Sequence, residues 1–263
     1  MKFEFTDIHS HIIPGVDDGS ENMETSLGLI DMAYEDGIRR MIATPHWGVI
    51  NPAYDRELAE YRLAELRHRA QAKYPDIELY MGNEIFLAPG YPDGLDDGKS
   101  QTLAGSEYVL IEFPMEIDYE YVFHSCRKML LSGYIPILAH AERYLYTYSG
   151  PDDIAELVNQ GARVQINSSS LTGPAQSEAS QSGTAQGSGI FSRIFKSSSN
   201  HDKRHKFAEQ LLKQDLVHYI ATDIHNMPGR QPRMTAAAEH ITSLIGEDRT
   251  LQLFANSDKL LHK

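Results

Sequence analysis

Sulfur is nearly absent from the reactive inventory of this chain: among 263 residues there is one cysteine, Cys126. A single thiol excludes an internal disulfide framework and suits a reducing compartment. No apolar run approaches the roughly 20 residues needed to span a bilayer. The first residues have neither the basic start nor the apolar middle of a secretory signal, so a cytoplasmic location without membrane insertion is expected. Basic residues are also scarce. Lys plus Arg is 24 against 37 for Asp plus Glu, a formal net charge of −13. That balance argues against generic DNA or RNA binding, which depends on neutralising phosphates. It leaves room for a small phosphorylated substrate, because bound divalent cations reverse the local field.

What the chain does have is a repeated unit. Short apolar runs at Phe3–Thr6, Arg40–Thr44, Ile77–Met81, Tyr108–Ile111, Ile135–Ala139, Arg163–Ile166 and Val217–Ala221 read as strands. Helical periodicity separates most of them: Ser20 to Glu35, Asp55 to Ala72 with Leu58, Tyr61, Ala64 and Leu66 inward, Tyr119 to Leu131, Asp152 to Gln160, Lys203 to Lys213, and three segments after Arg233. Strands alternating with helices predict a parallel α/β fold. The length favours one domain over 1–263, a distorted seven-stranded TIM-like (β/α) barrel; an open doubly wound sheet is the alternative. A Ser-, Gly- and Gln-rich stretch at about 171–200 reads as a flexible insertion carrying one apolar patch, Ile190 to Phe195.

Each strand ends on a chemistry-bearing residue. The first is followed by Asp7-Ile8-His9-Ser10-His11, in which extended backbone places His9 and His11 on one face with Cα atoms roughly 6.6 Å apart. His46, Glu84, Glu112, His140, and Asp223 with His225 follow later strands, and Asp18 is available from the first loop. In a barrel these ends meet at one mouth. Five histidines and the accompanying carboxylates exceed what one ion needs and fit two or three divalent ions. Nitrogen and oxygen donors without sulfur suit manganese, iron or zinc. Arg143 and Arg230 follow the last candidates, and a guanidinium fork can grip two phosphate oxygens. His68, His201, His205, His240 and His262 are read as exposed or insertion residues, and His124 and His218 as packing or surface residues.

Taken in order, Asp7-x-His9-x-His11, Asp17-Asp18-Gly19, Thr44-Pro45-His46, Gly82-Asn83-Glu84, Leu110-Ile111-Glu112-Phe113, Ala139-His140-Ala141-Glu142-Arg143-Tyr144, Gln165-Ile166-Asn167-Ser168-Ser169 and Ala221-Thr222-Asp223-Ile224-His225-Asn226 resemble the polymerase-and-histidinol-phosphatase (PHP) superfamily. More closely they resemble its bacterial manganese-dependent protein-tyrosine phosphatases. The resemblance implies a distorted seven-stranded barrel and three Mn(2+) ions held by His9, His11, Asp18, His46, Glu84, Glu112, His140, Asp223 and His225. It implies phosphate binding by Arg143 and Arg230. The implied substrate is phosphotyrosine on an autophosphorylating bacterial tyrosine kinase that controls capsule or exopolysaccharide assembly. Direct hydrolysis by a metal-activated hydroxide is expected, with Asp18 a candidate proton donor; Cys126 cannot open a Cys-x5-Arg loop because position 132 is Ser. A histidinol-phosphatase-like or other PHP phosphoesterase is the nearest alternative, and a non-catalytic metal-stabilised kinase adaptor a more distant one. The insertion looks longer than the family's usual loop.

Overall fold

β1, Phe5–Ser10, is buried at every position, as expected of a parallel strand covered on both faces. The computed structural model describes residues 4–144, 150–172, 188–226 and 231–261, with 188–200 described by backbone alone. After β1 comes α1, Met23–Glu35, capped by Asn22, whose side chain accepts from the Thr25 amide. The expected cap, Ser20, instead bonds the Asn22 carbonyl and the Ser26 hydroxyl. β2 is Ile38–Ala43 and β3 is His46–Gly48.

α2, Arg56–Lys73, is capped by Asp55 and buries Ala59, Leu63, Leu66 and Ala70. Of the residues expected inward only Leu66 is buried: Leu58 and Tyr61 are 40% and 68% exposed, and Ala64 is exposed as well. Each residue turns a helix by about 100°, so with Leu63 at the centre of the buried face Leu58 and Tyr61 fall about 140° and 160° away. The buried leucines contribute about 2–3 kcal/mol each.

The chain continues through β4 (Glu78–Met81), β5 (Glu84–Phe86), β6 (Tyr108–Glu112), α3 (Tyr119–Leu131), β7 (Ile135–Leu138), α4 (Asp152–Gln160), β8 (Arg163–Asn167) and α5 (Ser168–Leu171). Gly161 ends α4 at φ 115°, a left-handed position suited to glycine. Then come α6 (Ser188–Lys213), β9 (Tyr219–Ala221), α7 (Met234–Ile245) and α8 (Glu247–Asp258). Residues 173–187 lie outside the described set. The expected start of α6 at Lys203 is corrected to Ser188: no proline interrupts 188–213, and the one glycine, Gly189, falls in the first turn. Residues 188–200 of the stretch read as flexible are therefore helical backbone. The side chains of Ile190 to Phe195 are outside the described set.

Every strand pairing is parallel. One sheet runs β1-β2-β4 and the other β3-β5-β6-β7-β8-β9. β3 resumes the line of β2 after Thr44-Pro45, and β5 that of β4 after Gly82-Asn83. The amides of Gly82 and Glu84 donate to the carbonyls of Ala43 and Pro45 (2.9 and 3.3 Å) across the breaks. Pro45 has no N–H of its own for a ladder. Beyond β9 the chain bridges back to β1 through Ser10 and Ile224. There the Asp223 amide donates to the His9 carbonyl and the His11 amide to the Ile224 carbonyl, both at 2.9 Å. Seven strand positions, built from nine segments, thus succeed one another in the expected distorted barrel order, joined last by an isolated bridge. Pro136 is tolerated inside this order because pairing of β7 with β8 begins one residue later, at Ile137.

Ile8, Ile42, Leu110, Ile137, Tyr219 and Ala221 form one buried apolar cluster drawn from five strands, with Leu103 and Leu260 added. Strand positions that far apart in order can meet only on a common enclosed face. A larger cluster packs the outer strand faces against the helices, through residues such as Ile30, Leu66, Leu157 and Leu211. Above the enclosed cluster the strands end, and polar residues take over.

Candidate metal centre

Strand ends deliver the donors. His9 lies in β1 and His11 just past it, His46 opens β3, Glu84 opens β5, Glu112 closes β6, His140 follows β7, and Asp223 and His225 follow β9. All nine residues expected to ligate are brought together. Glu84 is the hub. Its Oε2 lies 3.2 Å from His9 Nε2, 3.3 Å from His11 Nε2 and 3.0 Å from His46 Nδ1, and its Oε1 lies 3.1 Å from His140 Nε2. Glu112 reaches His140 at 3.4 Å and His46 at 3.9 Å. Asp223 Oδ1 is 3.5 Å from His9 Nε2 and 3.3 Å from His225 Nδ1. Asp18, 71% exposed, closes the group at the mouth, 3.4 Å from His46 and 3.7 Å from His225.

The imidazoles are oriented from behind. His9 Nδ1 faces Gln165 Oε1 at 3.2 Å, His11 Nδ1 faces Asp17 Oδ2 at 2.7 Å, and His225 Nδ1 faces the Asp223 carbonyl at 2.9 Å. Those oxygens accept, so each Nδ1 carries the hydrogen, and in the neutral ring each Nε2 turns a lone pair into the cluster. Gln165 itself is fixed: its oxygen accepts from the His140 amide at 2.8 Å and its nitrogen donates to Asn167 Oδ1 at 2.8 Å. Asn167 donates in turn to Asp223 Oδ2 at 2.8 Å. The result is an excess of converging acceptors. His9 Nε2 and His11 Nε2 stand 3.2 Å apart, and Glu84 Oε2 and His46 Nδ1, both buried, have no aligned hydrogen-bond partner among the described residues. An unpaired buried carboxylate oxygen is costly, and cations held by these donors would remove that cost.

Charge follows the same geometry. Burial opposes ionisation of Glu84, but the imidazoles of His9, His11, His140 and His46 outweigh it and hold the carboxyl well below the usual range. Asp17 is likewise opposed by burial, yet His11 brings it down to about 2. His140 loses from burial and from Arg143, but Glu112 and Glu84 raise it to about 9. His140 and Asp223 both adopt left-handed backbone, φ 33° and 53°. Two strained non-glycine residues at strand ends are typical of a functional site. Three overlapping donor groups result: His9, His11 and Glu84; His46, Glu84 and Glu112; and His11, Asp18, His46 and His225.

A family model for capsular polysaccharide synthesis, CpsB/CapC, matches residues 5–184 and 198–262. The chain belongs to the CpsB/CapC family. Tyrosine-protein phosphatase CpsB of Streptococcus pneumoniae is 30% identical over 255 residues, 96% of each chain. Tyrosine-protein phosphatase YwqE of Bacillus subtilis (strain 168) is 30% identical over 257 residues, 97% of this chain and 91% of its own. A solved structure from the pair YwqE of Bacillus subtilis and CpsB of Streptococcus pneumoniae, described as metal-dependent tyrosine phosphatases, superposes with a TM-score of 0.79 at 28% identity, covering 97% of this chain and 94% of that one. A TatD-family hydrolase of Entamoeba histolytica shares the fold alone, at TM-score 0.54 and 10% identity. The family match skips 185–197, inside the stretch read as an insertion.

In this CpsB/CapC chain seven of the nine donors, all but the fully buried His9 and His11, line a cleft of about 920 Å³, whose walls include Phe86, Phe113 and Met115. Arg143 reaches into it with Nη1 3.0 Å from Asp223 Oδ2. Arg230 lies outside the described residues. Reading the sequence missed the orienting residues Asp17, Gln165 and Asn167 as functional. A signal existed for two of them: Gln165 and Asn167 are two apart on β8 and so share a face. Asp17 sits beside Asp18, and only the backbone path decides which carboxylate turns inward.

Proposed function

We propose that this chain is a metal-dependent tyrosine-protein phosphatase, acting on phosphotyrosine of a bacterial tyrosine kinase that regulates capsule or exopolysaccharide synthesis. The reading takes 1–263 as one phosphatase unit in the cytoplasm, with Mn(2+) as its metal, three ions per chain. His9, His11, Asp18, His46, Glu84, Glu112, His140, Asp223 and His225 would hold the ions. The observation that carries it is Glu84 Oε2, a buried carboxylate oxygen within 3.3 Å of three imidazole nitrogens yet without a hydrogen bond among the described residues. The donors are nitrogen and oxygen throughout, the set that manganese, iron and zinc accept. Bound divalent ions would supply a water of lowered pKa and neutralise phosphoryl charge.

The chain's own groups do the rest. Arg143, held by Asp223, lines the cleft, where its guanidinium fork would grip phosphoryl oxygens. Phe86, Phe113 and Met115 give the aryl ring an apolar wall. Asp18 stands exposed at the mouth and, with Arg230, completes the expected catalytic set; as an ion's ligand it is a carboxylate without a proton, so water serves the leaving phenol. A thiol route is poorly supported: Cys126 is buried in α3, and burial pushes its thiol up to about 12.

The test is a substrate panel with protein stripped and reloaded with manganese, iron or zinc, its metal content measured by elemental analysis. Phosphate release should be fastest from a phosphotyrosine peptide and best supported by manganese. Faster turnover of histidinol phosphate would replace this reading with the nearest PHP alternative. Unchanged release after His140→Ala would favour a non-catalytic adaptor.

A further inference from the structure

A second group of donors lies outside the cleft. His205 and Glu209 are one turn apart on α6, and His240 faces them from α7. His240 Nε2 is 2.9 Å from Glu209 Oε1, and His205 Nε2 is 3.4 Å from the same oxygen. One donor atom from each residue falls within 4.8 Å of the others, and all three side chains are half-buried. None of them lines the cleft. The reading of His205 and His240 as exposed bystanders is corrected by this pairing. The signal was present as a four-residue spacing, His205-x3-Glu209, but the partner lies 31 residues away in sequence.

The hydrogen-bond polarity is informative. His205 Nδ1 lies 3.0 Å from the carbonyl oxygen of Ser170 on α5. A carbonyl only accepts, so Nδ1 carries the hydrogen and neutral His205 presents a lone pair at Nε2. That lone pair faces a carboxylate oxygen, which also only accepts. In the neutral ring two acceptors therefore face each other, and either a proton on Nε2 or a metal ion bridges them. Lys213 does not fill the role, because its Nζ lies on the other carboxylate oxygen, Oε2, at 3.2 Å. A backbone carbonyl fixing Nδ1–H while Nε2 faces other donors is the arrangement that orients ligating histidines.

We propose that His205, Glu209 and His240 bind one divalent transition-metal ion, of the zinc class, that clips α6 to α7. Two imidazole nitrogens and one carboxylate oxygen, Oε1, leave a fourth tetrahedral position for water. The ion would tie down the helix through which the chain returns from 173–187. It would also brace α5, whose Ser170 hydroxyl donates to Glu142 Oε1 at 2.6 Å, next to Arg143. The clip is independent of the chemistry assigned to the cleft.

Zinc binding by the full chain tests it. Protein stripped with a chelator is loaded with excess zinc, desalted, and analysed for zinc per chain, comparing wild type with H205A/H240A. The double variant should hold one fewer ion, and cobalt loaded in place of zinc should lose one low-coordinate absorption component. Manganese-supported phosphate release from a small aryl phosphate should be unchanged. If the double variant does not fold, H240Q carries the same comparison, since an amide can bond Glu209 but ligates zinc poorly. Equal zinc content and equal cobalt spectra in wild type and variant would overturn the proposal and leave a proton as the bridge.

Discussion

Asp17 Oδ2 stands 2.7 Å from His11 Nδ1, and the same carboxylate accepts from the amides of Gly19 and His46. One residue thus fixes a ligand ring, the loop that carries Asp18, and the start of β3. Asp17→Ala should weaken metal binding by about 10- to 100-fold, the usual effect of removing a group that orients a ligating histidine. Asp17→Asn, which keeps an acceptor and loses the charge, should cost less. Titration of activity against added manganese checks this: both variants should need more metal while approaching wild-type rates at saturation. An unchanged metal requirement in the alanine variant would mean that His11 does not need its partner.

Exhaustive chelation should abolish phosphate release, and added divalent metal should restore it. Alkylation of the native protein should leave it unaffected, because Cys126 is fully buried and its thiol is raised to about 12. Activity that survives chelation and falls on alkylation would reverse the assignment of the chemistry. Titrating metal back while measuring both bound ions and rate separates ions needed for turnover from those that merely bind.

The strand ends were legible because parallel β/α units put chemistry at one mouth, so His9, Glu84, Glu112, His140 and Asp223 could be named from position alone. The split of β2 from β3 and of β4 from β5 was not legible. It depends on Pro45 and on carbonyls across the gap, which a period-2 pattern does not reveal. The inward face of α2 was misjudged because Leu58 and Tyr61 are apolar but fall on the far side from Leu63. Apolarity alone does not set a helix's phase. The pairing of His240 with Glu209 and that of His11 with Asp17 were hidden for one reason: the two partners share no strand or helix, so no regular spacing joins them until the chain is folded.

Arg143→Lys should raise KM for a phosphotyrosine peptide by roughly tenfold, with a smaller fall in kcat. Lysine can keep the contact to Asp223, now 3.0 Å from the guanidinium, or reach a phosphoryl oxygen, but it lacks the fork to do both. Steady-state kinetics over a range of peptide concentrations make the distinction. A change confined to kcat would instead place Arg143 on the transition state alone.

Tyr144 is among the largest fully buried side chains, and its hydroxyl accepts from the Phe113 amide at 3.1 Å. Tyr144→Phe strands that buried amide, so a loss of about 1–2 kcal/mol is expected. Urea unfolding of metal-saturated protein reads it directly. Because Phe113 follows Glu112, the variant should also bind metal somewhat less tightly, whereas a purely global effect would leave metal affinity unchanged.

His218 gives the fold an acid limb of its own. Burial, reinforced by Arg163, pushes its imidazole down to about 4, and its Nδ1 accepts from the Val164 amide at 3.3 Å, which requires the neutral ring on that side. In the unfolded chain a histidine titrates near 6.5. Between about 6.5 and 4 the unfolded state therefore binds a proton that the folded state refuses. The stability that His218 contributes is fully present above about 6.5 and is lost as pH falls toward 4. Allowing for its partial exposure, the loss is on the order of 2 kcal/mol. Metal-stripped protein isolates the effect, since acid release of ions then plays no part. Urea midpoints measured from pH 7 to pH 4 should fall less steeply for His218→Gln, whose amide oxygen can still accept from Val164 and does not titrate. Identical slopes in wild type and variant would show that His218 is protonated in the folded chain and that the acid sensitivity lies elsewhere.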